Sequence, residues 1–408
     1  MTNYNKSRLI ALAMLFFMTG IVGSRPLIPL LSNDLGATTF QIGIIIALFA
    51  FLPLFFSVKL GYLIDRFGSL KPLALSAVLA SLSLIIPLLL GNLTGVYLSQ
   101  VIGGIAQTSF ALAAQSFVSV NSSGSSRERN ISILSMGVAG GGLVGPLIGG
   151  SLSDLIGYTL AIAFLGATMF IPFVIIYLIY IVENKDEKAS INKHRVSNKR
   201  AFKSSVLPLL INIDLRKAII VSMLVLLARD FYIYYFPLLA NEYGYSATII
   251  GLIIGLHNGA GVLIRWFLIQ VIEKWGKSEV VLTSILLSGA LLALLPLTDI
   301  LIFSMIISML LGAFLGVGQP LSITSTISFS PKNRTAEVLG LRLTFNRLTQ
   351  FVSPLLFGAI ATFFSISAIF YFVAIILGIG STKSFIKKES KNYESRKETR
   401  QKSRSDEG

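Results

Sequence analysis

Long stretches of this chain carry almost no polar side chains. Scanned for runs of about 20 mostly apolar residues, the length a helix needs to cross a hydrocarbon core, the chain yields twelve. They fall at residues 9–31, 38–60, 70–90, 94–119, 131–153, 157–181, 217–240, 247–271, 279–297, 300–327, 337–361 and 364–382. The first follows Lys6 and Arg8 as a secretory leader would. It is too long for a leader's apolar segment and ends at Arg25–Pro26 without a small-residue cleavage site, so it reads as a retained span. Two stretches break the pattern: a polar, basic segment at 183–216 and a tail from 383 that is poor in hydrophobic residues. The chain therefore divides into a six-span half at 1–182, a basic linker at 183–216, a second six-span half at 217–382, and a tail at 383–408 expected to be disordered. Residues 202–213 are expected to lie along a membrane surface ahead of the seventh span.

Composition agrees with a lipid solvent. Of the 408 residues, 54% are hydrophobic and 13% charged, about half the charge of an ordinary soluble domain, and the mean hydropathy is +0.77. The formal charge of +15 would suggest nucleic acid in a soluble protein; here it sorts by side. The N-terminus, five alternate connections and the tail hold 28 of the 34 Lys and Arg, whereas the opposite connections hold only the acids Asp34, Asp154, Glu242 and Asp299. Both termini are thus expected in the cytoplasm of a multi-pass cell-membrane protein, with the basic segments against anionic lipid. Neither basic segment interleaves stacking aromatics, so no nucleic-acid partner is expected. There is no Cys, and His194 and His257 are the only two His, which excludes thiolate chemistry and a His-based metal cluster.

The two halves repeat at one offset. A shift of 208 residues lays Pro29–Gly36 on Pro237–Gly244, Ile42–Gly43 on Ile250–Gly251, Asp65–Gly68 on Glu273–Gly276, Gly104 on Gly312, Pro146 on Pro354 and Gly150 on Gly358. Each half has an even number of spans, so the repeat is parallel, the arrangement in which carriers hold a substrate site between halves near the midplane.

With these residues in place the chain resembles the major facilitator superfamily over residues 7–385. The sequence GYLIDRFGSLK from Gly61 to Lys71 is similar to that superfamily's signature loop, with Ser69 where a basic residue is usual, and a weaker copy lies at 269–279. The resemblance implies that Asp65 latches one end of the protein shut against the start of the eleventh span, with Arg66, Arg127 and Arg129 completing a charge network. The alternative is that Arg66 and Lys71 only set orientation. In the fifth span Gly137, Gly141, Gly145 and Gly149 share one helix face, and with Pro146 and Gly150 they are similar to the antiporter motif of drug:proton exporters. A generic packing face is the alternative. Gly251, Gly255 and Gly259 repeat the spacing in the eighth span, and the two glycine faces are expected to pack on each other. Gly140–Gly145 also satisfies a dinucleotide-binding spacing, but lies within a span with no preceding strand, and no phosphate loop occurs.

Charges inside spans are costly, about 3 kcal/mol or more at the bilayer centre, and point to the working site. Arg25, Arg229 and Arg347 have no basic counterparts at the repeat offset and are the candidates for a substrate cavity; Gln107, a polar residue in span four, is a further cavity candidate, with a helix–helix hydrogen bond as the alternative. Asp230 is the deep acid, so it and His257 are the proton-coupling candidates; a permanent ion pair of Asp230 with Arg347 or Arg25 is the competing reading. A clustered catalytic set is not evident. The expectation is an all-α membrane protein of twelve helices in two pseudo-symmetric six-helix halves, a carrier and not an enzyme. It is expected to act as a monomer without cofactor or metal, exchanging protons for a small organic solute by alternating access. The alternative is uptake or facilitated transport of an anionic metabolite.

Overall fold

The computed structural model describes residues 3–122, 125–187, 211–331 and 334–381, and these are almost entirely helical. The tail from 383 and most of the surface segment predicted at 202–213 lie outside them. Span one is Asn3–Ser24 continued by Leu27–Asp34; spans two to five are Thr39–Phe67, Leu70–Leu90, Leu93–Val120 and Ser125–Ile156. Span six is Tyr158–Thr168 with Phe170–Glu187, span seven Ile213–Glu242, and span eight Ala247–Leu263. Spans nine to twelve are Lys277–Leu294, Leu301–Ser328, Thr335–Phe363 and Ile366–Gly380. Ten of the described helices are long and apolar enough to cross a membrane. Of the other two, span eleven is long but carries Arg342, Asn346 and Arg347, and span twelve is apolar but only 15 residues long.

The repeat is visible in the hydrogen bonds. Span one ends with the amides of Leu35, Gly36 and Ala37 donating to the carbonyls of Leu31, Asn33 and Ser32; span seven ends with Tyr243, Gly244 and Tyr245 donating to Leu239, Asn241 and Ala240, every partner shifted by the same offset. Gly36 and Gly244 hold φ of 77° and 76°, and Gly68 and Gly276 hold 79° and 83°, a region that favours glycine at a helix end. The next helix in each half starts on a matched hydroxyl: Thr38 Oγ1 accepts from the Gln41 amide at 3.3 Å, and Ser246 Oγ accepts from the Ile249 amide at 3.4 Å.

The chain packs into two compact units. One comprises Met1–Ser204, Ile233–Gly259 and Gln350–Ile366; the other comprises Ser205–Tyr232, Ala260–Thr349 and Ser367–Gly408. In the first, span one lies along span five and buries Phe17 face to face on Phe110 of span four, with ring centroids 3.8 Å apart. In the second, spans nine and ten pack together, Phe231 meets Phe370 edge-on at 4.8 Å, and Leu215, Ile219 and Val338 form a buried cluster.

Two expectations need correction. Span eight was expected to run unbroken over 247–271; its helix stops at Leu263, passes through a 3₁₀ turn at Ile264–Trp266 and resumes as a short amphipathic helix, Leu268–Trp275. Arg265 sits in that turn, and its Nε reaches the Gly316 carbonyl at 3.4 Å.

The second correction concerns the glycine faces of spans five and eight, which do not meet. A Cβ at Gly141 would lie 2.6 Å from the Leu15 carbonyl oxygen, and one at Gly145 would lie 2.6 Å from that of Thr19. Gly137 likewise faces Ala11, and Gly149 faces Gly23. The four-residue glycine stripe is therefore a bed for span one. Gly251 instead meets Pro146 and Gly150, Gly255 meets Leu143 and Leu147, and Gly259 meets Leu143, all on another face of span five.

Candidate transport site

Span one breaks where Pro26 and Pro29 remove two helical donors, and Arg25 sits at the break. It lies nine positions before Asp34, about 13 Å of helix, which puts its side chain near mid-depth of a core about 30 Å thick. One terminal nitrogen of its guanidinium donates to Gln107 Oε1 at 3.2 Å, and the group lies over the rings of Phe49 at 5.4 Å and Tyr234 at 6.0 Å. Its Nε is buried without an acceptor. The ring contacts hold the cation in place, at about 0.5–2 kcal/mol each, yet leave most of its five N–H donors for something else.

The remaining candidates distribute between the units. His257, in the same unit as Arg25, is 3% exposed. Arg229, Asp230 and Arg347 belong to the second unit, are half-buried, and each engages other groups; Arg229 donates to Gln319 Oε1 at 3.4 Å. The most buried arginine of span eleven is Arg342, 6% exposed, donating to Ser322 Oγ at 3.0 Å while its Nε has no acceptor. Nothing in the sequence singles it out, because position along a helix does not say which way a side chain faces.

The signature loop is exposed in this structure. Asp65, Arg66 and Lys71 are exposed, Gly61 has no neighbour within 4 Å of a Cβ position, and Gly68 supplies the positive φ that turns span two into span three. Arg127 and Arg129 are also exposed, and Arg127 donates through Nε and a terminal nitrogen to the Ser119 carbonyl at 3.1 and 2.8 Å, completing the end of span four. In the first turn of span eleven Glu337 pairs with Arg334 at 2.6 Å.

At the opposite, acid-bearing end a seam is closed. Gly43 of span two packs on Pro354 and Gly358 of span eleven, while Gly251 of span eight packs on Pro146 and Gly150 of span five. These are the same contact twice, since 43, 146 and 150 map onto 251, 354 and 358 at the repeat offset. Two bonds reinforce the seam. Tyr235 donates its hydroxyl to the Pro354 carbonyl at 3.1 Å, and Asp154 accepts from the amides of Ala247 and Thr248 at 2.9 and 2.8 Å, capping span eight. The position equivalent to Asp154 in the second half is Thr362, whose hydroxyl turns back to its own helix at Gly358. The side count grouped Asp154 with the acids of the opposite connections but gave it no role; its place just beyond the Gly149–Gly150 pair was the available signal. Asp154→Ala is expected to weaken the seam by about 1 kcal/mol, the usual cost of a lost cap. A maleimide-reactive Ala247→Cys reporter should then label about fivefold faster. An unchanged rate would mean that the cap contributes nothing to closure.

Paired helices closed at one end by a twofold-repeated contact, with charged and amide side chains held at mid-depth, define a membrane-embedded carrier. The family model for the Major Facilitator Superfamily matches residues 10–278 and 218–406, and the chain belongs to that superfamily. It is an integral multi-pass membrane transporter, not an enzyme. It is 22% identical over 378 residues to an uncharacterized MFS-type transporter of Methanocaldococcus jannaschii, covering 91% of this chain and 95% of that one. It is 24% identical over 353 residues to the quinolone resistance protein NorA of Staphylococcus aureus, covering 85% and 87%. Among solved structures it superposes on the nucleoside transporter NupG with a TM-score of 0.76 at 12% identity, over 95% of this chain and 100% of that one. A bacterial homologue of the human lysosomal transporter Spinster, inward-facing and unoccupied, superposes with a TM-score of 0.73 at 13% identity, over 94% and 96%.

Proposed function

We propose that the chain exports a small organic solute in exchange for protons, by rocking two six-span halves, 1–182 and 217–382, around a site at mid-depth. The observation that carries this reading is the duplicated seam at Gly43 and Gly251: two symmetric contacts that open together are what alternating access requires. Direction is supported by the span-five motif, similar to that of drug:proton exporters, and by similarity to a protein named for quinolone resistance. Asp230 is assigned the proton, with His257 second, and Asp65 the latch at the end carrying both termini, which the side count places in the cytoplasm. The chain works as a monomer, with the solute, protons and lipid as its partners.

Proteoliposomes test the sign of coupling whichever way the protein inserts. An exchanger accumulates solute when the lumen is acidic, as protons leave; a proton-coupled importer needs the outside acidic. Across a panel of aromatic cations and acids, accumulation is expected only with an acidic lumen and is abolished by a protonophore. Asp230→Asn is expected to abolish gradient-driven accumulation, at least tenfold, while solute–solute exchange persists. Unchanged accumulation with unchanged pH dependence would sink the assignment of Asp230. Uptake or facilitated transport of an anionic metabolite is the second reading, favoured by the partly accessible donors of Arg25 and Gln107; the reversed gradient requirement, or none, would select it.

A further inference from the structure

We propose that Arg25, Gln107, Phe49 and Tyr234 form a subsite for the carboxylate of a planar aromatic acid; the inference rests on the transport reading above and names the class of solute carried. Among the described residues, Arg25 contacts one amide and two ring faces and has no carboxylate partner. A positive charge at mid-depth calls for a negative one, and a guanidinium pairs best with a planar, two-oxygen acceptor.

The amide beside it is already oriented. Gln107 Oε1 accepts from the guanidinium, so its NH₂ points away, adding two donors beside those of Arg25. Two adjacent donor groups match the two oxygens of one carboxylate. The buried, acceptorless Nε means that the guanidinium gives up no bond there when it turns toward a ligand. Arg25, Gln107 and Phe49 are each partly accessible, as a ligand-binding corner requires. The rings of Phe49 and Tyr234 flank the same cation, which places flat apolar surface beside the anion-binding corner and suits a fused aromatic ring. One guanidinium neutralises one charge, which favours a carboxylate over a doubly charged phosphate.

Equilibrium binding of radiolabelled 2-naphthoate to the purified full chain in lipid nanodiscs, with no gradient, tests this. Naphthoate is expected to bind saturably, with 2-naphthamide, its neutral isostere, and naphthyl phosphate both at least tenfold weaker. Arg25→Gln should cost naphthoate at least tenfold and leave naphthamide unchanged, whereas Phe49→Leu should weaken both alike. No saturable naphthoate binding, equal affinity for the amide or the phosphate, or naphthoate affinity surviving Arg25→Gln would overturn the proposal. Should Arg25→Gln not yield monodisperse protein, Gln107→Leu decides: a loss confined to naphthoate supports the subsite, and an equal loss for both ligands, or none, overturns it. The two readings fail separately. Intact naphthoate binding without proton-driven accumulation would refute exchange, and proton-driven transport of other solutes without naphthoate binding would refute the subsite.

Discussion

Gly43→Val and Gly251→Val are each expected to abolish gradient-driven transport, at least tenfold, while leaving the protein folded. They should do so by holding the acid-bearing end open. At both positions an added side chain would enter a backbone, not a flexible side chain: Gly43 faces the Pro354 carbonyl and the Gly358 Cα, and Gly251 faces the Pro146 carbonyl and the Gly150 Cα. Neither helix can move its carbonyl aside without breaking its own ladder. Overpacking of this kind costs about 1–3 kcal/mol. In a protein that opens this seam in every cycle, the cheapest relief is to stay open, and a bias of that size shifts the equilibrium about 5–150-fold.

The chain has no native Cys, so Ala247→Cys, at a residue only 3% exposed, reports the state directly. Its labelling is expected to be slow in the parent protein and at least tenfold faster with Gly43→Val. Because the two contacts are symmetric copies, Gly43→Val should expose a reporter that lies on the other copy. Slow labelling in that variant would mean that the two contacts open independently. Slow labelling together with intact transport would mean that neither contact is part of the cycle.

The repeat made much of this fold readable in the sequence. Matches such as Gly36 on Gly244 correspond to equal backbone angles and equal hydrogen bonds, because a glycine kept for its φ appears in a sequence as a fixed letter. Pro146 and Pro354 lie at the same offset because each presents its carbonyl to the opposite glycine. What the repeat could not supply was the partner of each helix face. Two stripes of glycine at the same spacing invite pairing with each other, yet small residues show only that some backbone comes close. Span one, whose own stripe runs Ala11, Leu15, Thr19 and Gly23, took the face assigned to span eight.

The embedded charges were legible as a set but not in their contacts. Arg25 and Gln107 were named separately, on the expense of charge in lipid and on a polar residue in span four, and the structure joins them. The rings of Phe49 and Tyr234 were not foreseen, since aromatic residues are common in apolar spans and only the third dimension brings two of them onto one guanidinium. Asp154 was read as a surface acid for a similar reason. Its hydrogen bonds go to backbone amides 93 and 94 residues away, and an amide leaves no mark in a side-chain pattern.

The same substitution at two glycines of one turn should have opposite effects on stability, which separates the packing role of the span-five stripe from the general cost of glycine in a helix. Gly142→Ala is expected to raise the thermal midpoint of the purified protein slightly, because a Cβ there meets nothing within 4 Å and alanine is about 0.8–1 kcal/mol better than glycine inside a helix. Its carbonyl, which accepts from Asn258 Nδ2 at 2.9 Å, is untouched by the change. Gly145→Ala gains the same propensity but would place its Cβ 2.6 Å from the Thr19 carbonyl oxygen and 2.8 Å from the Gly23 amide nitrogen. Gly23 has no side chain to yield, and its own Cβ position lies 2.6 Å from the Gly145 carbonyl oxygen, so the two backbones would have to separate along span one. That separation would loosen the neighbouring contacts at Gly141 and Gly149, so the loss should exceed the about 1–3 kcal/mol of a local overpacking. It should appear as a lower midpoint or as a failure to obtain monodisperse protein. If both variants gained stability, helix propensity would outweigh packing at this seam, and the glycine stripe would have to be kept for the transport cycle instead of the fold.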